Sequence, residues 1–243
     1  MTADGDALSG TVTQVVDGGI ADVLLVAARV SDGVALYAVD TEVAGVQRTP
    51  LATLDLTRSE ANVTFSDAPA QVIAGPDETA RILDYALQVG AALLAVEQVG
   101  AAQHLLDLSV EYAKSRLQFG RPIGSFQGVK HRLADLLVDV EHARSTAYHA
   151  IWALTDGSDD PALATSVAQA VCSAALSHVA TDAIQVHGGI GFTWEHQAHL
   201  YKRAATDAVL LGGAEKHRDR VAAMVLDGAT VDRVPWVADG TAV

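Results

Sequence analysis

A single cysteine, Cys172, stands in the whole chain, and it lies in an apolar stretch. One thiol cannot close an internal disulfide, so no cross-linked scaffold is available and Cys172 reads as a small buried residue. Basic residues are scarce, with 16 Lys and Arg against 30 Asp and Glu and a formal net charge of -14. Such a surface repels phosphate backbones and excludes nucleic acid as a partner. The N-terminal MTADGDALSG lacks the basic-then-apolar order of a secretory signal. No segment reads as an apolar run long enough to cross a bilayer; the richest, YALQVGAALLAVEQVGAAQHLL, carries Glu97 and glutamines. The expectation is a cytoplasmic chain with no membrane partner.

Several chemistries are missing too. The stretch EHQAH (Glu195 to His199) is not the HExxH order that sets two ligands one turn apart around a glutamate. The Glu-x-x-His pairs of di-iron bundles are absent, as is a Gly-x-Ser-x-Gly elbow. No metal site is expected, and the nine histidines read as surface or capping residues.

What is present is an apolar half of the chain, split by a change of period near residue 75. Before it, GTVTQVV, ADVLLVAARV, GVALYAV, ANVTFSD and AQVI have strand length and β-branched content, with DGG and SDG as turns. After it, helices are expected from behind Gly75-Pro76 to about Arg116, capped by Asp77, and from Phe126 onward, capped by Ser125. Further helices are expected over about Ala162–Val186 with Pro161 in the first turn, from about Glu195, and over about Ala214–Leu226. Long helices with short links make a bundle. The fold class is therefore α+β: a truncated antiparallel β domain over 1–75, a helical bundle over 76–230, and a tail over 231–243.

Two stretches carry possible chemistry. QVHGGIGF (Gln185 to Phe192) puts three glycines into four positions behind a helix. It lacks the preceding strand of a dinucleotide fingerprint. Two readings stay open: a helix stop, where glycine supplies positive φ, or a backbone bared for a phosphate or sugar. RLQFGRPIGSFQ (Arg116 to Gln127) ends one helix on an arginine and starts another. Arg116 could grip an anion and Phe119 could pack a flat ring; a solvated connector is the plainer reading.

Together the motifs are specific. Y-x-x-x-R-x-Q-F-G-x-P-I-x-x-F-Q (Tyr112 to Gln127), then Q-V-H-G-G-x-G-F, then H-L-Y-K-R-A (His199 to Ala204), resemble the acyl-CoA dehydrogenase family in order and spacing. LSGTVTQVVDGGIADVLLVAAR and DLTRSEANVTFSDAP resemble that family's middle β domain. The resemblance implies FAD as cofactor and acyl-CoA thioesters as substrate. A glutamate takes the α proton and the flavin takes hydride from the β carbon. It also implies that one subunit holds the ADP half of its neighbour's FAD. Carried over, that set is Arg116, Phe119, Gln127, Gln185, Gly188 and Gly189, with Arg116 facing the pyrophosphate, Gly188 and Gly189 allowing close backbone approach, and Gln185 near the adenosine. His187 reads as a filler rather than a catalyst.

The departures are as informative. The family's helical N-terminal domain and its upstream flavin-contacting segment have no counterpart, so the chain begins inside the β domain. The flavin-side strand aligns with Gln14, Val15 and Val16, without aromatic or hydroxyl. The usual base position falls on Leu211, and an alternative one on Gly90 and Ala91. Glu97 and Glu215 are the nearby carboxylates. Glu97 reads as part of a buried stretch, and Glu215 lies about one helical turn past Leu211. A positioned base contributes roughly a hundred- to ten-thousand-fold in rate. The expected chain thus has no catalytic residue of its own. It resembles the non-catalytic partner in bacterial acyl-CoA dehydrogenases built from two unlike subunits, as a heterodimer or heterotetramer. Two alternatives remain: a self-sufficient acyl-CoA dehydrogenase seen as a fragment, with Glu215 or an upstream group as base, or a cofactor-free structural or interaction subunit. Fatty, branched and sterol side-chain thioesters all stay open as substrates.

Overall fold

The computed structural model describes residues 1–157, 159–206 and 211–226. The expected tail over 231–243 lies outside them. The chain divides into two compact units, one over Met1–Ala86 and one that starts at Leu87.

The first unit is one seven-stranded sheet. Its strands are β1 (Thr2–Asp4), β2 (Ala7–Val16), β3 (Val23–Val30), β4 (Gly33–Asp40), β5 (Val46–Pro50), β6 (Glu60–Pro69) and β7 (Gln71–Ala74), in the order β5-β6-β2-β1-β3-β4-β7. Pairing is antiparallel except where β1 meets β3. In β6 the alternation Ala61, Val63, Phe65 points inward, so one face is buried. Val63 and Phe65 meet Leu8, Val26 and Val39 in the core. The strands β1 and β5 were not expected. The first is short, and the second carries Gln47, Arg48 and Thr49, so neither shows an apolar pattern.

Strand β2 breaks register between Val12 and Val15, and Gln14 there has φ +56°. A bulge of this kind re-aims side chains and costs strain in a non-glycine residue. It falls on the stretch aligned with the family's flavin-side strand. Between β5 and β6 the chain is tied down by buried Asp55, whose carboxylate accepts from the Thr57 amide at 2.8 Å, the Thr57 hydroxyl at 2.6 Å and the Arg58 guanidinium at 3.0 Å. Burial pushes this carboxyl up, but the Thr57 and Arg58 bonds outweigh it and hold it below the usual range.

Helix α1 covers Pro76–Ser115. Asp77 sits inside its first turn rather than capping it. A two-stranded hairpin follows, β8 (Leu117–Gln118) with β9 (Arg121–Pro122), then a 3-10 turn over Ile123–Ser125. Helix α2 covers Gln127–Asp156 and has no side-chain cap. Ser125, expected to cap it, instead gives its hydroxyl to the Pro122 carbonyl at 2.7 Å. Helix α3 covers Pro161–His187, with Pro161 in its first turn and the Asp160 carboxylate accepting from the amides of Ala162 and Leu163. A second 3-10 turn spans Gly188–Phe192, and α4 (Ala198–Thr206) and α5 (Gly213–Leu226) follow.

The second unit's core is rich in alanine. Leu105, Leu136, Val140 and Val179 fill one cluster, while Ala92, Ala95, Ala143, Ala147 and Ala168 line another with Cys172. Burial pushes the Cys172 thiol up to about 11. Small side chains bring helix backbones close but bury little apolar area each, so polar ties matter more. Gln98 donates to Ser173, Ser173 donates to Gln169, and Gln169 donates to the Ala91 carbonyl at 2.7 Å. The same alanines make α1 and the run Pro161–Phe192 apolar enough, by length and composition, to match a membrane span. This corrects the expectation that no segment reaches that length.

Candidate functional site

The stretch after α1 is shaped by its backbone. The Arg116 amide donates to the Tyr112 carbonyl, and the Ile123 amide closes back onto the Arg116 carbonyl, both at 2.8 Å. Between them the hairpin turns on Phe119 and Gly120, with φ +54° and +77°. A two-residue turn with both φ positive matches the twist of a hairpin, and asparagine or glycine is its usual content. Phenylalanine there is strained, and its ring is 90% exposed. Below it, the Arg121 guanidinium lies 4.0 Å from the centre of the Phe126 ring. Gly124 seats the hairpin on α1, since a Cβ there would lie 2.9 Å from the Ala113 carbonyl oxygen. Gln127, at the start of α2, is exposed and sits beside His131 at 3.4 Å.

The glycines of QVHGGIGF separate into two roles. Gly188, at φ +65°, ends α3 and gives its amide to the Ile184 carbonyl. A Cβ on Gly188 or Gly189 would meet nothing within 4 Å, so this backbone borders open space. Gly191 is the reverse: a Cβ there would lie 3.1 Å from the Ile184 carbonyl oxygen and 3.3 Å from the His187 Cβ. Gly188 meets the helix-stop reading, Gly188 and Gly189 both leave room beside their backbone, and Gly191 is a packing glycine that neither reading covers.

Arg116, Phe119, Gln127, Gln185, Gly188 and Gly189 are all exposed. Arg116 makes no ion pair among the described residues, whereas Arg132 and Arg144 do. No hydrogen bond links any of the six to another. The two stretches are joined instead by Tyr112 and His187, whose ring centres are 4.5 Å apart. Neither was assigned a role from sequence. Gly124 and Gly191 were also passed over, because the need for glycine there comes from a neighbour far along the chain or folded back.

Beyond His187 the ring contacts continue to His196 at 4.3 Å, and Trp194 meets His199 edge-on. Nδ1 of His196 accepts the Ala198 amide, leaving its proton on Nε2. Burial, and then the neighbouring His187 and His199, hold His196 below the ordinary histidine range. Among the described residues no group of three His, Cys, Asp or Glu is arranged to hold a metal.

The positions aligned with the family's base lie together. A Cβ on Gly90 would stand 3.3 Å from the Leu211 Cδ1. Leu211 is at φ +56°, and its carbonyl accepts from the His217 Nε2–H at 2.9 Å. The Ala91 carbonyl is taken by Gln169. Glu97 is exposed, not buried as expected; the buried residue is its neighbour Gln98. Glu215 is exposed in the first turn of α5. A separate apolar groove of about 780 Å³ between α2, α3 and α5 contains none of these residues.

Residues 80–226 match the family model for the acyl-CoA dehydrogenase C-terminal domain. The chain is 44% identical over 212 residues to acyl-CoA dehydrogenase IpdE2 of Mycolicibacterium smegmatis, covering 87% of this chain and 61% of that one. It is 40% identical over 222 residues to acyl-CoA dehydrogenase FadE34 of Mycobacterium tuberculosis, covering 90% of this chain and 30% of the relative. Among solved structures it resembles the ChsE4-ChsE5 complex of Mycobacterium tuberculosis, with TM-score 0.82, 33% identity, and coverage of 93% here and 62% there. It also resembles butyryl-CoA dehydrogenase of Megasphaera elsdenii, with TM-score 0.86, 25% identity, and coverage of 93% and 62%. The chain spans less than two thirds of the length of each.

Proposed function

For a chain that belongs to the acyl-CoA dehydrogenase family, as its match to the C-terminal domain shows, we propose the role of a partner subunit in an FAD-dependent acyl-CoA dehydrogenase. It holds the ADP half of an FAD whose reactive ring, with the base, belongs to another subunit. When bound, FAD would supply a hydride acceptor for the oxidation of an acyl-CoA thioester. This chain's own residues bind and orient. Arg116 supplies an unpaired positive charge for the pyrophosphate. Gly188 and Gly189 border open space, so their backbone is accessible to a ligand. Phe119 offers an exposed ring, and Gln127 and Gln185 offer exposed amides. These residues fit an ADP moiety in charge and in access.

The observation that carries the reading is the contact of Leu211 with Gly90. Both positions where the family places a base meet in one spot, and that spot is aliphatic. A neighbour that is a complex of ChsE4 with ChsE5 supports a pairing of unlike chains. The test is co-expression with a full-length family member that carries a glutamate at its base position. One FAD per pair by absorbance, with no turnover by this chain alone, is the expected result. Stoichiometric FAD and acyl-CoA oxidation by the isolated chain would overturn it.

A further inference from the structure

His187 ends α3 and is 4% exposed. Its Nδ1–H donates to the Ala183 carbonyl at 2.7 Å, which fixes the proton on Nδ1. Nε2 is then a buried acceptor with no hydrogen-bond partner. Leaving such an atom unpaired is costly, so hydrogen bonding alone does not account for a histidine here. What the ring does make is two tilted ring contacts, 4.5 Å to Tyr112 and 4.3 Å to His196. The Ala183 tether holds the ring in the plane that permits both.

Those contacts reach two backbone segments. Tyr112 offers the carbonyl that the Arg116 amide binds, so fixing Tyr112 fixes the start of the hairpin. On the other side His187 precedes Gly188, whose amide is bound to Ile184, and its Cβ would lie 3.3 Å from a Cβ added at Gly191. We infer that His187 is a positioning residue: a tethered flat strut that holds the Arg116 segment and the Gly188–Gly189 turn in one fixed geometry. Its purpose rests on the ADP-site reading above, since a diphosphate and its ribose need the cation and the bared backbone at a constant separation.

The test uses the full chain with His187→Ala, His187→Phe and Arg116→Ala. Amide hydrogen exchange is followed at Tyr112–Ile123 and at Ile184–Gly191. In His187→Ala both segments should exchange about tenfold faster, while His187→Phe, which keeps a ring, restores slow exchange around Tyr112 and Arg116. Faster exchange confined to Ile184–Gly191 would overturn the strut. ADP titration supplies the second arm. His187→Ala should weaken ADP binding about three- to tenfold, the size of a lost aromatic pair. In the Arg116→Ala background the same change should cost less than about twofold, because the strut acts through Arg116. Equal losses in both backgrounds would overturn that route. If the wild-type chain binds no ADP yet the exchange of the two segments is coupled, the strut stands and the nucleotide reading falls.

Discussion

Two regions of the helical unit have opposite character. Around the hairpin and the glycine turn, side chains point outward, Arg116 makes no ion pair among the described residues, and Phe119 holds a conformation that costs energy in isolation. Around Gly90 and Leu211 the groups are aliphatic or already hydrogen-bonded within the chain. Positive φ occurs in both regions, at Phe119 and at Leu211, so exposure rather than strain sets them apart. The difference separates an exposed surface from a half-buried corner where Leu211 lies against Gly90.

The largest effect should come from Arg116→Ala. An exposed cation without an ion pair adds little to the fold, so thermal stability should change by less than about 0.5 kcal/mol. A charge-assisted bond to a phosphate contributes about 1.5–3 kcal/mol, so FAD retention in the assembled complex should fall roughly ten- to a hundredfold. Flavin absorbance per protein, after gel filtration, measures it. Unchanged flavin would remove Arg116 from the site and erase the contrast.

Next is Gln169→Leu, which should leave the ligand surface alone and strike the alanine core. It removes the second bond on the Ala91 carbonyl, which keeps its helical bond, and takes away the Gln169 acceptor of the Ser173 hydroxyl. The expected loss is about 1–3 kcal/mol in denaturant unfolding, with flavin binding in the surviving folded complex unaltered. A loss of flavin matching that of Arg116→Ala would show that the two regions are not independent.

The long helices could be read from the chain. Helices α1, α2 and α3 run 40, 30 and 27 residues, and over such lengths apolar spacing and bounding Gly or Pro residues are plain. The hairpin at 117–122 was not legible, since each strand has two residues and its pairing depends on Phe119 adopting a positive φ that phenylalanine avoids. Caps failed where a polar side chain had a better local partner, as Ser125 did in Pro122. Glu97 was placed inside because its stretch is apolar; the helix turns it outward and Gln98 inward. No pattern in the chain could place Leu211 against Gly90 or His187 against Tyr112. Those are contacts between elements, visible only once the helices are packed.

Phe119→Asn should move stability and binding in opposite directions. Asparagine followed by Gly120 suits a turn with two positive φ values, and relief of the strain should stabilise the chain by about 1 kcal/mol. For a protein of this size that is roughly 2–4 °C in Tm. The loss of an exposed ring should at the same time weaken flavin retention. A destabilised variant would mean that the Phe126 contact, edge-on at 6.1 Å, outweighs the strain.

The smallest effect sharpens the other region. Glycine inside a helix costs about 1 kcal/mol relative to alanine, so Gly90→Ala should be stabilising unless its methyl is crowded. That methyl would stand 3.3 Å from Leu211 Cδ1, close enough that the leucine must shift. In the native background the two terms should nearly cancel. In Leu211→Ala the crowding is gone, and the full gain of about 1 kcal/mol should appear. Four denaturation curves, for the native chain, each single variant and the pair, give the coupling. A coupling near zero would mean that Leu211 moves aside freely, so that the corner is loose enough to admit another group. A coupling of about 0.5 kcal/mol or more means that the corner is closed by its own packing, which is what a subunit that leaves proton transfer to its partner should have.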